Sequence, residues 1–465
     1  KKLKGSEHWL TPTSWRRERA IQLAQRVRNK TLWTEIFSEI EITAQNVVTD
    51  DDLLNFVLIA MMNLMQEYKY HPSDILVYTS LAERGAQTAA HANNWYLARA
   101  YWEVKSRWYS ETQPEFRQAR IEAAETYVKE AEIAANDTPS RHIAASAFVE
   151  DAIEAMRKIG NMQGRVTQLQ NLLIEYGRKS LDEMGEVSVP IDLTQVATKA
   201  KEQVRGKSLY NALFVLMKLG NSPNVAELRL EAAKSVAEHP VTFRVSSRTF
   251  NDMGKVVNRR GTIDEDEEAT IEHETYQHAA RSQDILAVGV IEPAVHQILL
   301  EHRVRVRDLF PLVFDNPFIP PGREEIYARG LHAGLLGDFL VAAHLLIPQI
   351  ENSLRYILQA QGVITSGLDQ NMIQDEYTLD RIIYINELKD ILGEDIVFDL
   401  KGLLVKRPGS NIRNLLSHGL MDYEAFFSAR LIYLWWLILR LWGLPKLDFL
   451  LKDKGANSDA PTGEI

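Results

Sequence analysis

The sequence predicts an all-α protein, and three observations support that prediction. Apolar residues recur at three- and four-residue spacing through most of residues 1–300, as they do on the buried face of a helix. Glycines such as Gly206 and Gly220 stand between the apolar runs, where helices commonly end. Ser222 followed by Pro223 is a typical helix start, because a serine caps the first free N–H groups and proline suits the first helical position.

The N-terminal region, residues 1–240, is expected to form a series of helices joined by short turns. The predicted helices span 14–29, 31–47, 51–68, 73–88, 93–109, 115–135, 141–159, 164–182, 192–205, 208–219 and 224–238. Alanines on one face would allow close helix contact: Ala119, Ala123, Ala124 and Ala131. The pattern weakly resembles tetratricopeptide-type repeats, without their consensus. We therefore expect an irregular, solenoid-like region that binds a partner protein or supports the rest of the chain.

Residues 241–300 interrupt this pattern. The stretch 242–257 is rich in β-branched and aromatic residues, and an acidic run follows at 264–268. The interpretation is an irregular, partly exposed linker that separates two halves, after which a helix resumes at about 269–301.

The C-terminal region, residues 301–450, is expected to be a helical bundle. Its predicted helices span 324–336, 338–361, 378–392, 396–406, 410–418 and 422–442. Pro348 should kink the second of them, and Gly443 with Pro445 should end the last. The polar tail, residues 451–465, is expected to be disordered.

Composition narrows the classes of function. The chain has 465 residues, of which 45% are hydrophobic and 25% charged, as in ordinary globular proteins. It has no cysteine, which excludes disulfides, thiolate metal sites and cysteine nucleophiles. The first thirty residues contain no compact apolar segment of a signal peptide, so a cytoplasmic location is expected.

The net charge of −10 argues against a protein whose whole surface binds nucleic acid, yet basic residues are locally concentrated. Residues 1–30 carry nine Lys or Arg against two acidic residues. Further candidates for contact with RNA phosphates are Arg303, Arg305, Arg307, Lys406 and Arg407. The alternative for each patch is an ordinary solvated helix face.

An apolar run at 426–444 is long enough to span a bilayer. Arg430 and Arg440 interrupt it, and an arginine near the centre of a membrane helix is costly. The better interpretation is a buried helix that also forms a subunit interface, so no membrane contact is predicted.

The segment 413–419, Arg-Asn-Leu-Leu-Ser-His-Gly, contains the most distinctive chemistry of the chain. On a short helix Asn414 and His418 are four residues apart and share a face, so the amide could orient the imidazole. Arg413 and His418 are five apart, about 140° around an α-helix, so one regular helix would not direct both at one phosphate. Either the helix end deviates or a second copy of the chain contributes.

This R-N-x-x-x-H-G segment resembles the signature of a bacterial family of unknown function and the R-x(4–6)-H motif of the HEPN superfamily. The surroundings resemble it too, at 320–325, 337–338 and 346–355, so that the resemblance covers roughly residues 315–445. It implies a HEPN-like domain that dimerises and often forms a composite site across the dimer. It also implies a bacterial toxin or anti-phage effector.

The resemblance implies a metal-independent endoribonuclease with Arg413, Asn414 and His418 as the catalytic candidates. An imidazole exchanges protons near neutral pH, and a guanidinium binds phosphate, so RNA could be cleaved by its own 2′-hydroxyl. The alternatives are a helical scaffold that only dimerises, and a sensor that binds RNA or nucleotide without chemistry.

Three further residues are candidates for supporting the motif: Glu351, Arg355 and Ser417. Glu351 and Arg355 are four apart on one predicted helix, so a simple intrahelical ion pair is the alternative.

Partial matches to a zinc helix at 273–278, a phosphate loop at 206–208 and a calcium loop at 264–275 each lack a required position. We therefore expect no metal and no cofactor.

Overall fold

The computed structural model of the protein describes residues 12–47, 49–72, 74–185, 189–251 and 253–448. Within these residues helices dominate, and four short strands form two two-stranded sheets. The all-α prediction is therefore confirmed. Internal contacts divide the chain into two units. The first unit comprises residues 1–187 and 250–256, and the second comprises 188–249 and 257–465.

The helices of the first unit follow one another closely. They are α1 (Pro12–Arg26), α2 (Lys30–Gln45), α3 (Asp50–Leu53), α4 (Val57–Glu67), α5 (Ile75–His91), α6 (Trp95–Ser106), α7 (Pro114–Asn136), α8 (His142–Ile159) and α9 (Gln163–Ser180). Asn29, Asp74 and Asn94 start α2, α5 and α6, since the side chain of each accepts a hydrogen bond from a backbone N–H of the first turn.

Consecutive helices from α5 to α9 pack against each other. Small residues make this possible: Ala119, Ala123, Ala124 and Ala131 of α7 are all buried, as the sequence predicted. Gly85 of α5 lies against Tyr101 of α6, where an added Cβ would be 2.6 Å from the ring. The first unit is thus built mainly from contacts between sequence neighbours.

The second unit contains the remaining elements. They are α10 (Thr194–Val204), α11 (Leu209–Lys218), α12 (Val225–Glu238), α13 (Pro240–Phe243), β1 (Ser247–Phe250), β2 (Val256–Arg260), α14 (Glu267–Leu286), α15 (Glu292–Glu301), α16 (Phe310–Val313), α17 (Glu324–Leu335), α18 (Phe339–Ala360), β3 (Ser366–Leu368), β4 (Gln374–Glu376), α19 (Leu379–Ile382), α20 (Glu387–Leu392), α21 (Glu394–Leu404), α22 (Ile412–Ser417) and α23 (Ala429–Ile438). The residues that join β1 to β2, 250–256, are grouped with the first unit. Two π-helical turns, at Ala287–Ile291 and Leu439–Gly443, extend α14 and α23.

Helix α23 lies in the core of the second unit. Every side chain from Leu431 to Ile438 is buried. The indoles of Trp435 and Trp436 donate hydrogen bonds to the carbonyl oxygens of Leu331 and Leu216, at 3.0 and 2.8 Å. The predicted buried helix is confirmed, since its side chains from Leu431 to Ile438 are covered by the same chain.

A buried carboxyl links α21 to α14 and α23. Asp399 of α21 is fully buried and accepts hydrogen bonds from Gln283 of α14 and from the hydroxyl of Tyr433, both at 2.6 Å. Burial raises the pKa of Asp399 to about 6, although the hydrogen bonds oppose that shift. Such a group stabilises the fold best when it is protonated.

The division between the units lies near residue 187, whereas the sequence analysis placed it near 240. The reason is that α10 and α11 contribute buried residues to the C-terminal core, among them Leu213 and Leu216. Helical periodicity identified both helices correctly, but periodicity does not indicate which core a helix joins.

Most predicted helices agree with the structure to within a few residues, including the one resumed near 269. The irregular linker predicted before that helix instead contains the short helix α13 and the strands β1 and β2. The predicted helix at 378–392 is two short helices, α19 and α20, and residues 444–448 remain helical beyond Gly443. Pro348 lies inside the continuous helix α18. The tail prediction for 451–465 lies outside the described residues.

Among the described residues, the stretch Glu267–Glu301 is the one long and apolar enough to cross a membrane by length and composition. Half of its most apolar window is buried inside the protein, as in a core helix. In the apolar run at 426–444, the residues from Leu431 to Leu439 are buried in the second unit.

Candidate functional site

The motif lies on α22, a short helix held by a tight backbone turn. Before it, the N–H of Ser410 donates to the carbonyl of Gly402 at 2.8 Å. Gly409 passes so close to Gly402 that an added Cβ would be 2.1 Å from that carbonyl oxygen. Asn411 then adopts a left-handed conformation with φ of 50° and precedes the first turn. The start of α22 is therefore fixed by the end of α21.

The C-terminal end of α22 has the hydrogen bonds of a Schellman motif. Gly419 has φ of +63°, its N–H donates to Leu416, and the N–H of Leu420 donates to Leu415, at 3.0 and 2.9 Å. The prediction that Gly419 follows the helix end is confirmed. His418 is the last residue before this reversal, so its backbone position is defined although its side chain is exposed.

Arg413 is held by two acidic residues from other helices. One of its terminal nitrogens donates to Glu351 of α18 at 3.2 Å, and the other lies 3.7 Å from Asp380 of α19. The Arg413 side chain is 22% exposed and that of Glu351 17%, so water screens this pair only partly. The guanidinium has five N–H groups, and these contacts engage only some of them.

Glu351 bridges two arginines. Its other oxygen accepts a hydrogen bond from Arg355, one helical turn along α18. Arg355 also donates through Nε to the carbonyl oxygen of Tyr377 at 3.1 Å. Glu351 and Arg355 therefore form the expected intrahelical ion pair, and Glu351 also contacts the motif arginine.

No described hydrogen bond joins Asn414 to the imidazole of His418. Its amide nitrogen donates to the side-chain oxygen of Asn411 at 2.7 Å, and its oxygen accepts from Arg413 at 3.1 Å. Asn414 thus orients the arginine and closes the first turn of α22.

His418 and Ser417 are both exposed at the end of the helix. In the part of the chain that the structure describes, no hydrogen bond or ion pair involves the ring of His418 or the hydroxyl of Ser417. The structure therefore joins Arg413, Asn414, Glu351 and Arg355 in one network and leaves His418 outside it.

The predicted phosphate-binding residues differ in how available their charges are. Arg303, Arg305 and Arg307 are exposed on the segment after α15, and no described hydrogen bond or ion pair connects them to α22. Lys406 is ion-paired with Glu272 at 2.8 Å, whereas Arg407 is exposed. Lys406 is accordingly less available for phosphate than the sequence suggested.

An exposed apolar patch follows the motif directly, and the sequence analysis did not identify it. The patch consists of Leu420, Tyr423 and Phe427, with 65%, 69% and 44% of their surfaces exposed. The rings of Tyr423 and Phe427 pack edge to face, with centroids 5.0 Å apart. Clustered exposed aromatic residues are typical of interaction surfaces. Phe427 belongs to the apolar run at 426–444, which the sequence predicted to be buried, and so its exposure was not apparent.

Asp380 was also missed, because nothing in its spacing relates it to Arg413, 33 positions later. Among residues 12–47, 49–72, 74–185, 189–251 and 253–448, no group of three or more His, Asp and Glu side chains is placed to hold a metal ion.

Comparisons with known proteins add no assignment. No family model, curated protein or solved structure matches the chain.

Proposed function

We propose that the protein is a metal-independent endoribonuclease whose site is built on α22. The supporting observation is the contrast within one short helix. Arg413 is oriented by carboxylates, while His418, five residues later, is exposed and has no described partner. A fixed cation and an accessible imidazole are the two groups that cleavage by the RNA 2′-hydroxyl requires.

In the proposed reaction His418 accepts the proton of the 2′-hydroxyl as that oxygen attacks the neighbouring phosphorus. The bond from phosphorus to the 5′-oxygen breaks, the 5′-oxygen takes a proton from water, and the His418 imidazolium returns its proton to the solvent. The products are a 2′,3′-cyclic phosphate and a 5′-hydroxyl. Arg413 binds the phosphate and stabilises the charge that develops on its oxygens. Asn414 keeps the guanidinium in place.

We further propose that the site is composite and belongs to a homodimer. Arg413 is directed to α18 and α19 by its ion pairs with Glu351 and Asp380, and His418 does not share these partners. Two positions five apart also diverge by about 140° on a helix. In the dimer, His418 of one chain would face the phosphate that Arg413 of the other chain binds. The patch of Leu420, Tyr423 and Phe427 is the proposed dimer contact.

The resemblance of the motif to HEPN nucleases supports a role as a bacterial toxin or anti-phage effector in the cytoplasm. In that role the helices of the first unit would bind the partner or trigger that controls cleavage. The exposed basic residues Arg303, Arg305, Arg307 and Arg407 would contribute general phosphate contacts.

One observation favours a second candidate, a non-catalytic module that dimerises or binds RNA. The Glu351–Arg413 contact joins α18 to α22, so it also has a structural use. On this alternative the motif maintains the fold, and removing His418 changes nothing.

The direct test is incubation of purified protein with total RNA in EDTA. We expect wild type to produce fragments with 2′,3′-cyclic phosphate ends, and His418→Ala to be slower by roughly 10²–10⁴-fold, the usual contribution of a general base. His239→Ala is the matched control, because His239 is another exposed histidine of the second unit. Saturable RNA binding without cleavage by wild type would favour the second candidate.

A further inference from the structure

A cavity of about 530 Å³ lies in the second unit, apart from α22. It is bounded by α12, α14, α20 and α21, and each long helix contributes one face. Val225 and Arg229 are four apart on α12, and Glu268 and Glu272 are four apart on α14. On α21 the lining residues Glu394, Val397, Phe398 and Lys401 follow helical spacing. The volume is within the usual range of small-molecule sites, about 300–1,000 Å³.

The inner wall of the cavity is aromatic and apolar. The rings of Tyr276 and Phe398 are stacked, with centroids 4.5 Å apart and planes 7° apart. Val397 beside them is buried. This wall offers an apolar surface to the body of a ligand.

The acidic residues around the cavity each have a basic partner. Glu268 pairs with Arg229, Glu272 with Lys406 at 2.8 Å, and Glu394 with Lys389 at 3.1 Å. Their charges are therefore largely compensated at the rim.

Lys401 is different, because no described carboxylate forms an ion pair with it. It is half-buried, and its ammonium lies 4.5 Å from the centre of the Tyr384 ring. Burial and the neighbouring Lys389 and Lys406 lower the pKa of Lys401, although the nearby carboxylates of Glu272 and Glu394 oppose that shift. A half-buried cation without a directly paired anion is costly, and a bound anion in contact with it would reduce that cost.

We propose that this cavity binds a small organic anion whose phosphate or carboxylate group pairs with Lys401 and whose aromatic body packs against the Tyr276–Phe398 wall. The ligand is distinct from the RNA of the proposed function, and the inference does not depend on cleavage.

Calorimetric titration with 1-naphthyl phosphate tests the proposal, with 1-naphthol and inorganic phosphate as half-ligands. We expect saturable binding of the complete probe, and much weaker binding of either half. Lys401→Met should weaken binding roughly ten- to hundredfold, as expected for a lost charged hydrogen bond. Lys389→Met is the matched control, since that rim lysine has a carboxylate partner, and it should change binding by less than about threefold. Equal weakening by both variants, or no binding to wild type, would overturn the proposal.

A second measurement uses only the wild-type protein and so does not depend on how a variant folds. Acetic anhydride should acetylate Lys401 in the free protein, and 1-naphthyl phosphate should protect it, as read by peptide mass spectrometry. Lys158 is the internal reference, because it is exposed in the first unit and should react equally with and without the probe. Unchanged acetylation of Lys401 at saturating probe would contradict the proposed site.

Discussion

The two ends of α22 differ in how the fold holds them. At the beginning, Arg413 is bound by Glu351, Asp380 and Asn414 and is largely covered. At the end, His418 is exposed, and no described side-chain contact holds its ring. The same motif therefore combines a residue that the fold needs with a residue that the fold does not use. Substitutions at the two ends should have different effects on stability and on activity.

Glu351→Ala should have the largest effect on stability. It leaves Arg355 and Arg413 without their shared carboxylate in a partly buried position, so we expect a loss of about 2–3 kcal/mol in the free energy of unfolding. Glu325→Ala is the matched control, because Glu325 forms an exposed i,i+4 pair with Arg329 and should cost less than about 0.5 kcal/mol. Urea titration distinguishes the two, and equal small losses would show that Arg413 is not anchored as described.

Asp399 extends the comparison to a carboxyl that is fully buried. Its folded-state pKa is raised to about 6, above the ordinary value of the unfolded chain. Its protonated form is favoured in the fold, so the stability it contributes is complete at low pH and is lost as pH rises through the folded value. Between roughly pH 4 and pH 7, the free energy of unfolding of the wild type should therefore fall by about 2–3 kcal/mol relative to that of Asp399→Asn. Parallel stability profiles from urea titrations at each pH would contradict this.

Gly419→Ala should have the smallest effect, at the exposed end of α22. The space around Gly419 is open, so the cost arises only from its φ of +63° and should be about 1 kcal/mol. Gly419→Asn should cost less, because asparagine tolerates this conformation better than alanine. Thermal unfolding of the two variants measures the difference. If alanine and asparagine were equivalent, the left-handed reversal would not be what ends the helix.

The sequence predicted the parts of this site that depend on local order. Helical periodicity located α18 and α22, and glycine chemistry located the reversal at Gly419. The contact of Glu351 with Arg413 joins residues 62 positions apart. Residue types suggested that contact, but spacing could not establish it. Strands β1 to β4 were missed because they are very short, and the unit boundary was misplaced because α10 and α11 join a core formed by distant residues.

The central claim is that Arg413 of one chain and His418 of another act on the same phosphate. Arg413→Gln and His418→Gln can be co-expressed with different tags, and dimers that contain one of each can be purified. Each variant alone should be inactive. Since a two-fold dimer has two equivalent composite sites, the mixed dimer keeps one intact site and should recover about half of wild-type RNA cleavage. Adding Tyr423→Glu to both chains should remove that recovery. A mixed dimer as inactive as its parents, under conditions in which wild type cleaves RNA, would contradict the account.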